Sequence, residues 1–495
     1  MTQYTKKVVV GGSLVFVFTV LAAFFGYLIR LVIARNLNPV EFGLVYSIFA
    51  TFGLFSIFQH LGLNEALVKY LAEFKVHRQF GKIKSAMVFT VVFQLATAFI
   101  LAAVFWILAP WLAENYFRNQ LAVGGVRLYA LAIFLSPIEN FFFSVFRGYQ
   151  KPFWYSAANL ARMVFIFVAT IILLSFSKTI TSPILAYVLV YSISFFVYLP
   201  YFFKKMFPQF FKIKLDKFNI IAKKLVLFGI PVIIASAAST VISYTDTVLI
   251  TYFKTLNDVA IYSAAIPTAG LLWFFGSSLA IVLLPLSSEM WKRKHGHLLS
   301  EGINLLYKYG IIIVVPFVVL MAVFPELILR ILFGAQYSAG ATVLMILSVA
   351  ALFFTIGQIN IALLSGIGKP KINARIAIIA AISNFASNLV LIPLLGISGA
   401  ATSTAIAFAI IGILGSIQLK KEIRFKFPVS AWIKTAICAA LFLVVVLVMK
   451  NILSMGFVAK IIISLVIGLL VYGLLILATR TVSFEEIITI RQRIR

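Results

Sequence analysis

The sequence predicts an all-α polytopic membrane protein of 14 transmembrane helices, arranged as two pseudo-symmetric six-helix lobes plus two extra helices. Three observations predict it. The 495-residue chain is 63% apolar and 11% charged, against roughly 25% charged for soluble domains. Its apolar stretches are long enough for the ~20 residues that a membrane helix needs. A cluster near residue 148 also returns near residue 366. Gly148-Tyr149-Gln150-Lys151-Pro152 and Gly366-Ile367-Gly368-Lys369-Pro370 both read G-x-x-K-P, at an offset of 218.

The fourteen apolar segments are 8–34, 42–65, 85–109, 121–147, 155–175, 183–203, 224–251, 259–288, 301–324, 337–366, 373–395, 398–419, 430–450 and 458–479. The first is too long for a signal-peptide core and no clear cleavage site follows it, so it is read as a span. Two further echoes support duplication. Gly12 matches Gly229, and Glu41-Phe42-Gly43-Leu44 matches Asp258-Val259-Ala260-Ile261, both at an offset of 217. Residues 1–203 are therefore read as an N-lobe and 224–421 as a C-lobe. Between them, 204–223 is a cytoplasmic linker carrying Lys204, Lys205, Lys212, Lys214 and Lys217, long enough to let the lobes move. Residues 422–495 hold the last two segments and a tail whose Phe484, Ile487, Ile488 and Ile490 have amphipathic helical spacing, suited to the cytoplasmic membrane surface. Six segments per lobe is even, so the repeat is parallel, related by an axis along the membrane normal, as in transporters that hold substrate between their halves.

The net charge of +28 raises the question of nucleic acid. Its distribution excludes it. With alternate loops on opposite sides, 32 of the 42 Lys and Arg fall on one side and 9 on the other, leaving Arg162 within a span. This is the positive-inside pattern of a cell-membrane protein with both termini cytoplasmic. Its basic loops lie against anionic lipid headgroups.

Soluble chemistry finds no support. The single cysteine, Cys438, lies in an apolar segment and excludes an internal disulfide. There is no Walker loop and no metal-ligand spacing, so no cofactor, no metal and no enzymatic activity are expected. His295-Gly296-His297 beside Lys292, Arg293 and Lys294 reads as a solvated loop. Pro137, Pro231, Pro267, Pro285, Pro316 and Pro393, with glycines such as Gly26, Gly53 and Gly357, interrupt the segments. Such breakers are tolerated where other helices or a wet cavity satisfy the freed carbonyls. Together they suit a moving transporter more than a rigid scaffold.

Three motif groups then carry a resemblance. Ala34-Arg35-Asn36-Leu37-Asn38-Pro39-Val40-Glu41-Phe42-Gly43 follows the first segment. Phe228-Gly229-Ile230-Pro231 and Asp246-Thr247-Val248-Leu249-Ile250 lie in the seventh. Asn388 and Ile392-Pro393-Leu394-Leu395-Gly396-Ile397-Ser398-Gly399-Ala400-Ala401 span the eleventh and twelfth. In this order they resemble the polysaccharide-biosynthesis (Wzx-type) branch of the MOP flippase superfamily, which also holds lipid II flippases and MATE exporters. Asn38 stands where that family usually has glycine. Fourteen segments are similar to the polysaccharide and lipid II branches.

The resemblance implies transfer of a lipid-linked oligosaccharide across the cytoplasmic membrane. It implies membrane lipids as surroundings, and a polysaccharide polymerase or glycosyltransferase as protein partner. Such a substrate has an anionic phosphate, a polar glycan and an apolar tail. The phosphate needs cations inside the membrane, where a charge near the bilayer centre costs several kcal/mol. Arg162 and Arg30 qualify, because the guanidinium fork bonds phosphate bidentately; a structural ion pair or an interfacial anchor is the competing reading. Asn159 is a candidate polar contact beside Arg162. Glu139 either titrates and couples transport to protons, or partners Arg162 or the backbone freed by Pro137. Asp246 maps by the repeat onto Ile29, beside Arg30, so an Arg30–Asp246 pair is a candidate outer gate. Asn159 itself, like Gln358, Asn360, Asn384 and Asn388, reads first as interhelical glue. Two other functions stay open: a MATE-like drug or cation antiporter, and a non-transporting scaffold of glycan assembly.

The charge count predicts that cysteines placed at Lys212 and Lys178, in a Cys438-free background, label from opposite membrane faces. Labelling from one face would overturn the segment count.

Overall fold

The structure, a computed structural model, describes residues 3–294, 296–452 and 457–482. The amphipathic tail beyond residue 482 and His295 lie outside the described residues. Every regular element among the described residues is helical: α1 (Gln3–Asn36), α2 (Pro39–His60), α3 (Leu63–Val76), α4 (Phe80–Trp111), α5 (Leu121–Gly148), α6 (Pro152–Phe176), α7 (Thr181–Tyr201), α8 (Phe218–Phe253), α9 (Leu256–Lys292), α10 (Gly296–Val323), α11 (Pro325–Leu332), α12 (Ala341–Gly366), α13 (Pro370–Leu395), α14 (Ile397–Glu422), α15 (Val429–Ile452) and α16 (Phe457–Ala478). Each of the fourteen apolar segments falls mainly on one of these helices, and 42–65 runs past α2 through the Leu61-Gly62 turn into α3. Among the described residues twelve helices are long and apolar enough to cross a membrane, or thirteen if α8, bent by 46° between Ile234 and Ser236, is one span. In α16 the apolar stretch described is the shorter Val466–Ala478. The protein is a multi-pass membrane protein. Two short helices, α3 and α11, were not anticipated. α3 buries Leu63, Ala66, Leu67, Leu71 and Phe74 on one face, an amphipathic stripe too short to span.

The repeated motifs build the same local structures. Gly148 and Gly366 end α5 and α12. Tyr149 and Ile367 follow with φ of −80° in both. Gln150 and Gly368 then take left-handed conformations, at φ 56° and 83°. Lys151 and Lys369 come next at φ −109° and −112°, and proline opens α6 and α13. Proline is suited to that first position, where its missing N–H would be unpaired anyway. The 217-residue echo behaves alike. Asn38 accepts from the Glu41 N–H at 2.9 Å while Glu41 accepts from the Asn38 N–H at 3.4 Å, capping α2. Thr255 and Asp258 exchange the same two bonds at 3.2 Å and 3.0 Å at the start of α9. Each box satisfies donors that a helix start leaves open.

By packing, the chain falls into two compact units divided after Ser263. In the first, α1 lies on α6, α5 on α4 and α7, and α8 on α2, α3 and α4. The repeat assigns α8 to the second half; packing groups it with the first unit. Segment 204–223 is fastened there rather than loose. Lys84 Nζ donates to the Ile213 carbonyl at 2.8 Å. Ser85 donates to the Asp216 carbonyl at 2.9 Å and accepts from its N–H at 3.0 Å. The α2–α8 seam is polar and close. The Ser47 and Thr251 hydroxyls lie 2.7 Å apart, and Tyr116 donates to the Val248 carbonyl at 2.9 Å. Gly62, left-handed at φ 68°, lets the turn after α2 touch the backbone of Gly229.

In the second unit α12 and α13 pack on α14, α10 on α12 and α15, and α15 on α16. Tyr307 donates to Asn360, whose amide donates to the Gly412 carbonyl at 2.9 Å and Ser416 at 3.0 Å. Trp432 donates to the Tyr307 carbonyl at 3.2 Å and Tyr472 to the Ile312 carbonyl at 3.0 Å, so α15 and α16 are each bonded to α10. Asn388 donates to Asn384 at 3.3 Å within α13. All three asparagines are buried; Asn360 ties α12 to α10 and α14, and Asn384 donates to Thr404 of α14 at 3.5 Å, the role interhelical amides usually take.

Gly43 sits where a Cβ would strike the backbone of Leu256, whereas a Cβ at Gly26 meets nothing within 4 Å. Gly43→Ala is expected to lower unfolding stability in detergent by about 1–3 kcal/mol. Gly26→Ala should be neutral or stabilising, by up to about 1 kcal/mol, through helix propensity. Equal behaviour of the two variants would refute the close approach of α2 and α9.

Candidate functional site

Arg162 lies ten residues beyond Pro152, the first residue of α6, about 15 Å along the axis at ~1.5 Å per residue. Lys151-Pro152 fixes where the helix starts and so fixes that depth. The guanidinium is not left alone. Its Nη1 lies 3.3 Å from Glu139 Oε2 on α5, and its Nη2 donates to Asn159 Oδ1 at 2.7 Å, one turn back on α6. Glu139 is 1% exposed, and its other oxygen accepts from Ser194 of α7 at 2.9 Å. The predicted trio Arg162, Glu139 and Asn159 is thus brought together, and of the two roles foreseen for Glu139 the structure builds the partnership with Arg162. The pair has no net charge, which makes its burial between α5, α6 and α7 tolerable. Arg162 is not sealed, however. A fifth of its side chain stays accessible, and its buried Nε has no partner among the described residues.

Arg30 is held differently. Its Nη1 donates to the Ser263 carbonyl at 3.1 Å, and the guanidinium lies 4.4 Å from the centre of the Tyr46 ring. A neutral carbonyl and a π face stabilise a cation without cancelling its charge. Among the described residues Arg30 has no carboxylate partner. Asp246, also 1% exposed, accepts from the Tyr262 hydroxyl at 2.5 Å. Tyr262 and Ser263 are consecutive, so one turn of α9 holds both Asp246 and Arg30.

Four tyrosines connect the two arginines. Tyr187 of α7 is close enough to interact electrostatically with both Arg30 and Arg162. Tyr191 lies near Arg162 and Glu139. Tyr129 of α5 and Tyr244 of α8 complete the group. The Tyr129 and Tyr187 ring centres lie 6.3 Å apart, both stack edge-on or tilted against Phe49 at 4.8 and 4.9 Å, and Phe49 meets Tyr46 at 5.7 Å. A continuous row therefore runs from Arg30 through Tyr46, Phe49 and the tyrosines to Arg162. Tyr129, Tyr187, Tyr191 and Tyr244 are half-buried and keep accessible surface. Sequence reasoning missed these residues. The signal was the stripe Tyr187, Tyr191, Ser194, Tyr198, spaced to share one face of an otherwise apolar helix.

Chemically, the arrangement offers one uncompensated cation, a second cation engaged by a carboxylate, and aromatic faces with hydroxyl groups. It suits an anionic, polar ligand. A separate groove of about 500 Å³ lies in the second unit between Ser300, Asn304, Lys420, Arg424 and Lys426. Ser300 and Asn304 are already bonded to the Arg424 and Lys426 carbonyls at 2.9 Å, and none of the buried charges lies there.

Residues 8–291 match the family described as polysaccharide biosynthesis protein, and residues 231–390 match the MatE family. The chain is 32% identical over 488 residues to the uncharacterized membrane protein MJ1068 of Methanocaldococcus jannaschii, covering 96% of this chain and 95% of that protein. It is 24% identical over 259 residues to the probable low-salt glycan biosynthesis flippase Agl15 of Haloferax volcanii, covering 52% and 55% of the two chains. Its fold is similar to that of the lipid II flippase MurJ in an inward closed conformation, with TM-score 0.77 and 18% identity over 97% of this chain and 99% of that one. It is also similar to an inward-facing MATE family transporter of the MOP superfamily, with TM-score 0.61 and 16% identity over 81% and 94%. The chain belongs to the polysaccharide biosynthesis protein family.

Proposed function

We propose that the protein flips a lipid-linked oligosaccharide from the cytoplasmic to the outer leaflet of the cell membrane by alternating access, for assembly of a cell-surface polysaccharide or glycan. The observation that carries this reading is Arg30. It is an ionised group among spanning helices whose charge is left uncancelled, and such groups mark ligand paths because they are costly to keep. A phosphate completes its fork. A cationic drug would be repelled, which weighs against the antiporter reading. The family and the relatives named as flippases support the same class of cargo.

In this reading Arg30 and Arg162 contact the substrate anion and Asn159 orients Arg162. Glu139 is the coupling group, because it occupies the position on Arg162 that an anion would take. Asp246, beside the turn that holds Arg30, takes part in gating. Fourteen spans in two parallel six-helix lobes plus two, with both termini cytoplasmic, form the matching topology, supported by the 32-to-9 charge bias and by the matched turns and caps. The protein partner would be a polysaccharide polymerase or a glycosyltransferase that makes or uses the glycan.

In proteoliposomes, Arg30→Ala should slow flipping of a fluorescent lipid-linked saccharide by about tenfold or more, the worth of a lost charge-assisted hydrogen bond. Arg30→Lys should retain part of the rate because the charge stays while the fork is lost. Wild-type flipping by Arg30→Ala would refute the reading. Arg162 needs a different design. Arg162→Ala leaves Glu139 buried and unpaired and is expected to cost about 3–5 kcal/mol of stability. The double variant Glu139→Gln with Arg162→Gln should recover most of that loss in unfolding measurements. If the single and double variants unfold alike, the pair is not a structural unit.

A further inference from the structure

We propose that Tyr129, Tyr187, Tyr191 and Tyr244 form a saccharide subsite between the two arginines, holding the sugar nearest the phosphate; this rests on the flippase reading above and specifies which part of the cargo each group meets. Other tyrosines in this protein donate to protein acceptors: half-buried Tyr116 to the Val248 carbonyl, and buried Tyr262 to Asp246, Tyr307 to Asn360 and Tyr472 to the Ile312 carbonyl. The four clustered tyrosines make no hydrogen bond to protein among the described residues. All four residues keep accessible surface, so their hydroxyls can meet water or a ligand, whereas hydrocarbon in that place would leave them unpaired at a cost. Phenylalanine would supply the same packing without that cost. Four such hydroxyls from three helices are therefore matched to something that donates and accepts: water when the site is empty, a polyhydroxylated ligand when it is filled.

The position narrows the ligand. Tyr187 is within electrostatic reach of both arginines, so whatever these hydroxyls bind lies next to the anion. In a lipid-linked glycan the group attached to the phosphate is a sugar. Phenol rings present flat apolar faces for the C–H faces of a pyranose, and their hydroxyls meet its edge; such rings combine an apolar body with a polar tip. Gly53 fits this picture. A Cβ there would strike the Tyr244 ring, so the glycine leaves Tyr244 its place in the group. A site that hydrogen-bonds a hydroxylated ligand discriminates strongly against one lacking the hydroxyls.

The test uses purified full-length protein in nanodiscs. Binding is measured for farnesyl phosphate and for farnesyl phosphate carrying glucose, mannose or N-acetylglucosamine. The quantity read is the ratio of affinities, glycosylated over bare. In the wild type at least one sugar should raise the ratio to about tenfold, the scale of one or two net hydrogen bonds. Tyr187→Phe with Tyr191→Phe keeps the rings and should bring the ratio down to about 1–2. Tyr129→Phe with Tyr244→Phe should lower it in the same direction. A wild-type ratio near one for all three sugars overturns the saccharide subsite and leaves the anion site standing. An unchanged high ratio in both double variants also overturns it. Failure of the wild type to bind even the bare phosphate overturns the anion reading, and the subsite with it.

Discussion

Hydrocarbon offers no hydrogen bonds. That constraint explains why the described chain is helical, and why its few exceptions are informative. A helix satisfies its own backbone, so everything left over must be resolved by side chains at helix ends and interiors. The helix ends show it directly. Asn38 with Glu41, and Thr255 with Asp258, close the starts of α2 and α9 with reciprocal bonds. The interior shows it more sharply. Glu139 is fully engaged by Arg162 and Ser194, and Asp246 by Tyr262 among its contacts. Around the candidate site two features differ from that pairing: Arg30, held by a carbonyl and a ring rather than a carboxylate, and the buried Nε of Arg162, which has no partner among the described residues.

Much of this was legible in the sequence, for physical reasons. Spans are visible because apolar length is demanded by the bilayer. The depth of Arg162 could be read because Lys151-Pro152 marks where α6 begins. The G-x-x-K-P clusters foretold matching turns because proline and a left-handed residue leave the backbone little choice. α3 was not legible, since a fourteen-residue amphipathic helix gives a weak signal beside long apolar runs. Nor was the fastening of segment 204–223, because hydrogen bonds from Lys84 and Ser85 to its carbonyls leave no trace in composition. The count of spans differs at α8 and α16, where a bend and a short apolar stretch complicate what length alone suggests.

The site was half legible. Ionised residues in apolar segments announce themselves, so Arg30, Glu139, Arg162 and Asp246 were all named. Which of them pair was not readable, because pairing depends on helix rotation. Asn159 was named as a ligand contact and proves to be bonded to Arg162. The tyrosines were hidden by their own chemistry. Phenol rings are common in apolar helices, and only their accessible surface and lack of a protein partner among the described residues separate Tyr187 and Tyr191 from buried, bonded Tyr307 and Tyr472.

The occupied fork of Arg162 has a thermodynamic consequence. With Glu139 and Asn159 already on its two terminal nitrogens, an arriving anion would find an exchange site rather than a vacancy. Its apparent affinity would be the difference between two contacts, not the strength of one. Exchange sites of this kind bind weakly on balance while remaining selective, and the returning carboxylate supplies the means of expulsion. A carrier that must let go of a highly charged cargo on the far side gains from such built-in competition, because a receptor made only of open cations would retain it.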